Sequence, residues 1–412
     1  MKKKLKLLFF LSLLFLLFSV YSVQIYAQYF KSITDLLSAS SQISILTSSP
    51  YTDEVYTVFG HSAIHIKDHE NGIDDVYNYG IFDFKTPNFI WRFATGETDY
   101  IVAKTDFDDY LFEYQLRGST VYEQIVNLTY DEKQQIYNFL EKNIKPENRT
   151  YRYNEIFNNC TTKLIEIIET NIINGQVVYP PDNDPKTFRE LLSEFTYAKP
   201  WLEFGINIIF SSGADKHATL KEKMFLPLYQ MNTLNNTLIM REDGKIEPLI
   251  LSNEILTSSE VNKTDDINFF VTPLFIGLVL LFLSIIISLY EYKTLKNTLS
   301  RFFDSALFFV IGLLGCVIIF FTFTLHPFTY PNWNLIWLNP LSLILAFSIL
   351  VKSQSKFVLY YQLMNSIILS VFLIALYFIP QSFEPTFIPF ILSVWIRTVM
   401  YTGNNKYINY QK

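Results

Sequence analysis

Residues 59–84 read FGHSAIHIKDHENGIDDVYNYGIFDF, and this stretch decides how the first half of the chain folds. Phe59 to Ile66 and Val76 to Phe84 are dominated by Ile, Val, Tyr and Phe, the residues that fit a pleated, half-buried surface, so both read as strands. Between them, Lys67-Asp68-His69-Glu70-Asn71-Gly72 ends on Asn-Gly, whose tolerance of left-handed backbone makes it a strong hairpin turn. Alternate residues of a strand share a face, which puts His61, Ala63 and His65 together.

Outward from the hairpin, helical signals mix with the strand signals. Thr129 stands as an N-cap with Glu132 at capping-box spacing, predicting a helix that runs to Asn143. Cys160 to Ile173 carries Leu164, Ile167 and Ile168 on one helical face. Pro180-Pro181 breaks the chain before a short helix over Lys186 to Phe195. The pattern is α+β, and a polar linker near 252–266 closes it.

From Ile267 onward the composition turns apolar. Stretches at about 267–290, 303–325, 334–351, 357–379 and 386–403 are each long enough to cross roughly 30 Å of hydrocarbon as helix, although Pro340 interrupts the third. Lys293, Lys296 and Arg301 follow the first stretch, Lys352 and Lys356 the third, and Lys406 the fifth. The loops from His326 to Trp333 and from Gln381 to Pro385 hold neither Lys nor Arg. An excess of Lys and Arg marks the cytoplasmic side, so residues 28–266 are expected outside the cytoplasmic membrane. The start of the chain gives the same orientation: Lys2, Lys3, Lys4 and Lys6 precede the apolar run Leu7 to Val20, and Ile25-Tyr26-Ala27 offers a cleavage site. The expected division is a signal peptide over 1–27, an exported domain over 28–266 and an all-α transmembrane bundle of about five helices over 267–412. With 412 residues, half of them apolar, and a net charge of −6, nothing favours a nucleic-acid partner.

Two cysteines are present. Cys316 falls in mid-span, where a small apolar side chain needs no special account. Cys160 stands alone in the exported part, in Phe157-Asn158-Asn159-Cys160-Thr161-Thr162, at an expected helix start. There the helix dipole and free N–H groups favour a thiolate, which is the nucleophilic form; the competing reading is a buried, inert thiol. A cysteine nucleophile needs a base, usually His. His61 opens a strand; His65 is a rival on the same face; His69 falls in the hairpin turn and His217 in a loop. A metal centre is not expected, since His61 and His65 on a strand stand about 13 Å apart and no Glu follows His61 as a zinc-peptidase helix requires. Neither phosphate loop nor dinucleotide fingerprint occurs, so no cofactor is expected. At the outer face of the bundle, His326-Pro327, Asn332-Trp333-Asn334 and Asn339-Pro340 supply polar groups that either bind a ligand or anchor the helices.

Several motifs together resemble a known family. Phe59-Gly60-His61-Ser62-Ala63, Val76 to Phe84, Leu116-Arg117-Gly118, Glu123-Gln124, Asn127-Leu128-Thr129, Tyr151-Arg152-Tyr153, Asn158-Asn159-Cys160-Thr161-Thr162 and Gly213 to Pro227 occur in order, followed by His326 to Pro340. This is similar to the Lnb-type lipoprotein N-acyltransferases. The resemblance implies a permuted papain-like (NlpC-type) fold, with Cys160 as nucleophile, His61 as base and a third polar group from the adjacent strand, Asn78, with Tyr79 as its competitor. Tyr79, Asn159, Arg117, His326, Asn332 and Asn334 are the candidates for substrate binding. The implied activity moves an acyl chain from a phospholipid, through a Cys160 thioester, to the N-terminal amine of a diacylglyceryl lipoprotein at the inner membrane. A membrane-anchored cysteine hydrolase (a cell-wall endopeptidase or lipase) and a non-enzymatic sensor or partner are the alternatives.

Overall fold

The computed structural model describes residues 36–51, 54, 57–258, 267–294, 296–352 and 356–403. The expected signal peptide and its cleavage site lie outside them, as do Lys406 and the end of the linker.

Ten strands run in chain order as β1 (Gln42–Ser48), β2 (His61–Asp68), β3 (Ile73–Ile81), β4 (Asp99–Asp106), β5 (Val121–Val126), β6 (Thr150–Arg152), β7 (Gly175–Val178), β8 (Leu238–Arg241), β9 (Ile246–Pro248) and β10 (Ile250–Thr257). Seven form one antiparallel sheet in the order β10-β5-β1-β2-β3-β4-β6, and β7-β8-β9 form a second, smaller one. The hairpin read from Asn71-Gly72 is β2–β3, with Ile64 opposite Tyr77 and Asp68 opposite Ile73. Its strands sit two to three residues away from the expected bounds: β2 starts at His61 rather than Phe59, and β3 ends at Ile81 rather than Phe84.

The helices of this half are α1 (Phe89–Thr95), α2 (Phe107–Arg117), α3 (Tyr130–Asn143), α4 (Cys160–Asn171), α5 (Phe188–Thr196), α6 (Pro200–Ile209), α7 (Leu220–Lys223) and α8 (Pro227–Leu234). They cover the large sheet on both faces, which explains why β1 and β2 are buried almost along their whole length rather than on alternate residues. On one face Tyr110 and Tyr114 of α2 pack against Leu46, Ala63, Val76 and Val121. On the other, Leu164, Ile165, Ile167 and Ile168 of α4 join Ile64, Ile66, Tyr77 and Tyr79 in the main core. Each such side chain, fully buried, contributes about 1.5–3 kcal/mol. The capping box of α3 is present: Glu132 accepts from the Thr129 amide at 2.7 Å while its own amide donates to Thr129 Oγ1 at 3.3 Å.

The C-terminal region is helical: α9 (Pro273–Thr294), α10 (Thr298–Thr322), α11 (Ser342–Lys352), α12 (Lys356–Ala375) and α13 (Ile388–Gly403). Among the described residues three helices are long and apolar enough to cross a membrane: Pro273–Thr294, Thr298–Thr322 and Lys356–Phe378. The third expected span does not run as one helix. Trp333–Ile336 is a 3-10 turn, and α11 begins only at Ser342, after Asn339-Pro340, because proline removes a donor and clashes with the preceding turn. Gly312 and Gly315 let α10 approach the backbone around Leu343 and Leu338 so closely that a Cβ at either position would collide with it.

Charge within the bundle is satisfied internally. Arg397 of α13 donates from Nε and Nη2 to Asp304 Oδ1 and Oδ2 at 2.6 and 2.9 Å, from Nη2 to Glu291 Oε2 at 3.0 Å, and from Nη1 to Ser288 Oγ at 2.7 Å. One buried guanidinium thus joins α9, α10 and α13. The two halves also interlock. Phe204 and Ile208 of α6 belong to the same apolar core as Trp337, Phe387 and Ile391 of the helical region.

Candidate active site

Cys160 is the first residue of α4, and the residues around it fix how that helix begins. Asn159 caps it, accepting from the Thr162 amide at 3.0 Å while Thr162 Oγ1 accepts from the Asn159 amide at 2.8 Å. Asn159 Nδ2 and Thr161 Oγ1 both donate to the Phe225 carbonyl, at 2.8 and 2.7 Å, stitching the helix start to the segment before α8. The thiol therefore sits on a rigid end, buried to 8% exposure, with the first-turn N–H groups free of intrahelical partners.

β2 and β3 supply the groups that meet it. His61 Nε2 donates to Asn78 Oδ1 at 3.1 Å, and the imidazole is also hydrogen-bonded to the Cys160 side chain. With Nε2 committed to Asn78, Nδ1 is the nitrogen left for sulfur. Asn78 Nδ2 donates to Thr105 Oγ1 on β4 at 3.3 Å, so the orienting amide is itself held. Gly80 makes the approach possible. Its φ is +94°, and a Cβ there would stand 3.8 Å from Cys160 Cβ and 3.7 Å from the Tyr153 ring, so any side chain would fill the gap beside the thiol.

The electrostatics suit an ion pair. Burial pushes the Cys160 thiol up, but the His61 imidazole and the backbone N–H groups of Ser62 and Thr161 outweigh it and leave the thiol below its ordinary value. Burial pushes His61 down and the Arg117 charge adds to that, yet the Cys160 and Asn78 contacts raise it above the ordinary imidazole range. Tyr114 stacks parallel to the His61 ring at 6.5 Å between centroids, and Arg117 lies 5.2 Å over Tyr114.

The other residues singled out from sequence fall in different places. Tyr79 points to the opposite face of the sheet, where its hydroxyl donates to Asn143 Oδ1 at 2.6 Å, so it does not compete with Asn78 for His61. His65 does not reach Cys160 either. It is fully buried toward the far end of β2, with Nδ1 2.7 Å from Glu123 Oε1, Nε2 2.6 Å from Asp74 Oδ1 and its ring stacked on Phe107. The shared strand face is real, but four residues of rise separate the two imidazoles. Asn159 is spent on the helix cap. Arg117 pairs with Glu113 on its own helix while keeping its charge near His61.

His326 lies close to the thiol's own loop. Its Nε2 donates to the Phe93 carbonyl at 2.8 Å, and its Nδ1 is 3.6 Å from Glu155 Oε1, five residues before Cys160. Asn332 and Asn334 are committed elsewhere. Asn332 Nδ2 donates to the carbonyls of Ile208 and Ile209, both at 2.8 Å, and Asn334 Nδ2 to those of Asn207 and Ile208, both at 3.1 Å. Both amides cap the C-terminal end of α6, so their N–H groups are committed to that helix end. Sequence reasoning missed Tyr114 and the N–H groups of Ser62 and Thr161. The only sequence sign of the latter two was their place beside the His and Cys. Among the described residues no group of three or more His, Cys, Asp or Glu side chains could hold a metal ion.

Residues 29–194 match the family described as the Lnb N-terminal periplasmic domain, and residues 264–407 match that described as the Lnb transmembrane domain. Together the two matches span well over half of the chain. The search of curated proteins and that of solved structures returned no match.

Proposed function

The chain belongs to the Lnb-type family, a membrane protein with a periplasmic N-terminal part, and from that premise we propose that it is a cysteine-dependent acyltransferase of the inner membrane that modifies lipoproteins. The observation that carries this reading is the array Asn78–His61–Cys160, with the thiol at a helix start. A strand-borne His that precedes a helix-borne Cys in sequence is the order of the permuted papain-like class, and an antiparallel sheet crossed by that helix supports the same assignment. The five apolar helices would then form the membrane bundle, the shorter α11 and α13 completing it.

The chemistry follows from the groups present. Cys160 Sγ, as thiolate, attacks the carbonyl carbon of a phospholipid ester, and the N–H groups of Ser62 and Thr161, which hydrogen-bond the resting sulfur, would turn to the oxyanion as the sulfur's charge moves onto it. The C–O bond breaks, the leaving alkoxide takes the proton from His61, and a lysophospholipid departs. The thioester that remains is an activated acyl store. The free α-amine of a diacylglyceryl lipoprotein attacks it, a C–N bond forms as the C–S bond breaks, and the amine proton returns to His61. Thiolate and imidazolium are restored. Asn78 holds the ring so that Nδ1 faces sulfur throughout.

The test is the intact mass of the purified protein after incubation with phospholipid. Wild type gains one acyl chain that hydroxylamine removes, and Cys160→Ala gains none. Adding a diacylglyceryl peptide should transfer the chain to its amine. Release of free fatty acid with no amide formed would instead favour the hydrolase reading.

A further inference from the structure

Beyond Ile81 the chain leaves the sheet as Phe82-Asp83-Phe84 and enters α1, a helix with no buried residue. Ile90 and Trp91 are 82% and 62% exposed, and Phe84 is 70% exposed. Contiguous exposed apolar surface of this kind marks a contact with an apolar partner. The charged side chain of α1, Arg92, is paired with Asp99, and the Thr95 hydroxyl donates back to the Trp91 and Arg92 carbonyls. What lies beside the patch identifies the partner. Trp91 touches Phe320 near the outer end of α10 at 5.6 Å between rings, and the Leu325 amide donates to the Thr95 carbonyl at 2.9 Å. Phe323 and Leu325, the residues next along from that helix, are themselves exposed. The apolar face of α1 thus continues the lipid-facing surface of a helix long enough to cross the membrane.

An aromatic path joins this face to the thiol. Phe82 meets Phe84 and Phe89 at 5.0 and 5.7 Å, then Tyr100 at 5.2 Å; Tyr100 stacks on Tyr153 at 4.2 Å, and the Tyr153 ring and Cys160 flank the side-chain-free position at Gly80, where a Cβ would stand 3.7 Å from the ring and 3.8 Å from Cys160 Cβ. We propose that α1 and the turn before it form a lip dipped into the outer leaflet, along which one acyl chain of a phospholipid passes from the bilayer to Cys160. The occupant is lipid, and the path lets the ester reach sulfur while its chain stays against aromatic surface. Each methylene exposed to water instead costs about 0.8 kcal/mol. Trp91, amphipathic and at the outer end of a span, is the residue type expected at a headgroup boundary. The proposal deepens the acyl-transfer reading and rests on it for the identity of the passenger, but the placement of α1 stands apart from that chemistry.

Two measurements on the full chain reconstituted in vesicles test it. The first is quenching of tryptophan fluorescence by lipids brominated near the headgroup end of their chains. Wild type should show a quenched component that Trp91→Phe removes; identical quenching in both overturns the lip. The second compares acylation of Cys160 in the double variant Ile90→Asp/Trp91→Glu, whose sites lie outside every buried core and leave it intact. Acylation from vesicle phospholipid should fall at least tenfold, while acylation from a water-soluble short-chain ester stays within twofold. Wild-type rates from vesicles, or equal loss with both donors, overturn the proposal. If wild type itself takes acyl from neither donor, the acyltransferase reading fails, and the quenching result still decides whether α1 sits in the membrane.

Discussion

At the scale of single residues, Cys160 and His61 depend on each other for charge. The thiol is held below its ordinary value by the imidazole and two N–H groups, and the imidazole is held above its own by the thiolate and Asn78. The reactive ion pair therefore exists between the two values. Activity falls on the acid side as Cys160 takes a proton and on the alkaline side as His61 loses one. Alkylation by iodoacetamide reads the thiolate directly. In wild type the rate should rise with a midpoint below about 8.5, the value of an unperturbed thiol, and in His61→Ala the midpoint should move up, because only the Ser62 and Thr161 N–H groups then oppose burial. An unmoved midpoint would mean that His61 does not set the charge of the sulfur. His65→Ala has the opposite profile. It leaves Glu123, a largely buried carboxylate, without its imidazole, at a cost on the order of 3 kcal/mol in a thermal or denaturant melt, and the alkylation midpoint of Cys160 should not change.

At the scale of elements, local chemistry was legible and distant partnership was not. The hairpin could be read because Asn71-Gly72 specifies its own turn, and the start of α4 because Asn159 and Thr162 cap it from within four residues. Asn78 was implied only by the family resemblance, and the strand adjacency that the hairpin imposes is what brings it to His61. α1 was missed because none of its seven residues is buried and its neighbours, Phe320 and Leu325, lie more than two hundred positions away. α2 was missed because only Tyr110 and Tyr114 mark its inner face. Asn332 and Asn334 show the ambiguity most plainly: an amide at the outer face of a bundle serves equally to bind a substrate or to cap a helix, and only the position of α6 decides. Asn334→Leu should accordingly act on stability. The Asn207 carbonyl loses its amide donor, at about 1–3 kcal/mol if left unpaired, while Ile208 keeps the one from Asn332, so the melting temperature of the detergent-solubilised protein should fall. An unchanged melt with a raised KM for lipid would return Asn334 to the binding role.

At the scale of the whole molecule, the expected boundary at 266 divides the sequence by composition, whereas the packing divides it differently. α6 follows β-rich chain and precedes more of it, yet Phe204 and Ile208 are buried among Trp337, Leu338 and Phe387 of the helical region. Four amide donors from Asn332 and Asn334 fasten its last turn, and Arg189 of α5 reaches Asn207 Oδ1 at 2.7 Å from the sheet side. Phe328 completes the clasp. Its ring lies 4.7 Å from Phe188 and 5.8 Å from Phe157, and its carbonyl accepts from the Ser211 amide at 2.6 Å. The segment that delivers Cys160 is therefore braced by the membrane half rather than only tethered to it. This coupling predicts the behaviour of residues 36–258 made alone. The large sheet and its two helical faces would remain, because their cores are closed among themselves. α6 would expose Phe204 and Ile208 beside the already exposed Trp201, an apolar patch that favours self-association. Sedimentation of this fragment should show concentration-dependent oligomers that Phe204→Glu/Ile208→Glu disperses, and the dispersed fragment should keep the lowered alkylation midpoint of Cys160, since Asn78, His61 and the α4 cap lie wholly within it. If the fragment is monomeric without those changes, α6 does not belong to the membrane half. If the dispersed fragment loses the lowered midpoint, the brace at Phe157 and Glu155 also sets the geometry of the thiol.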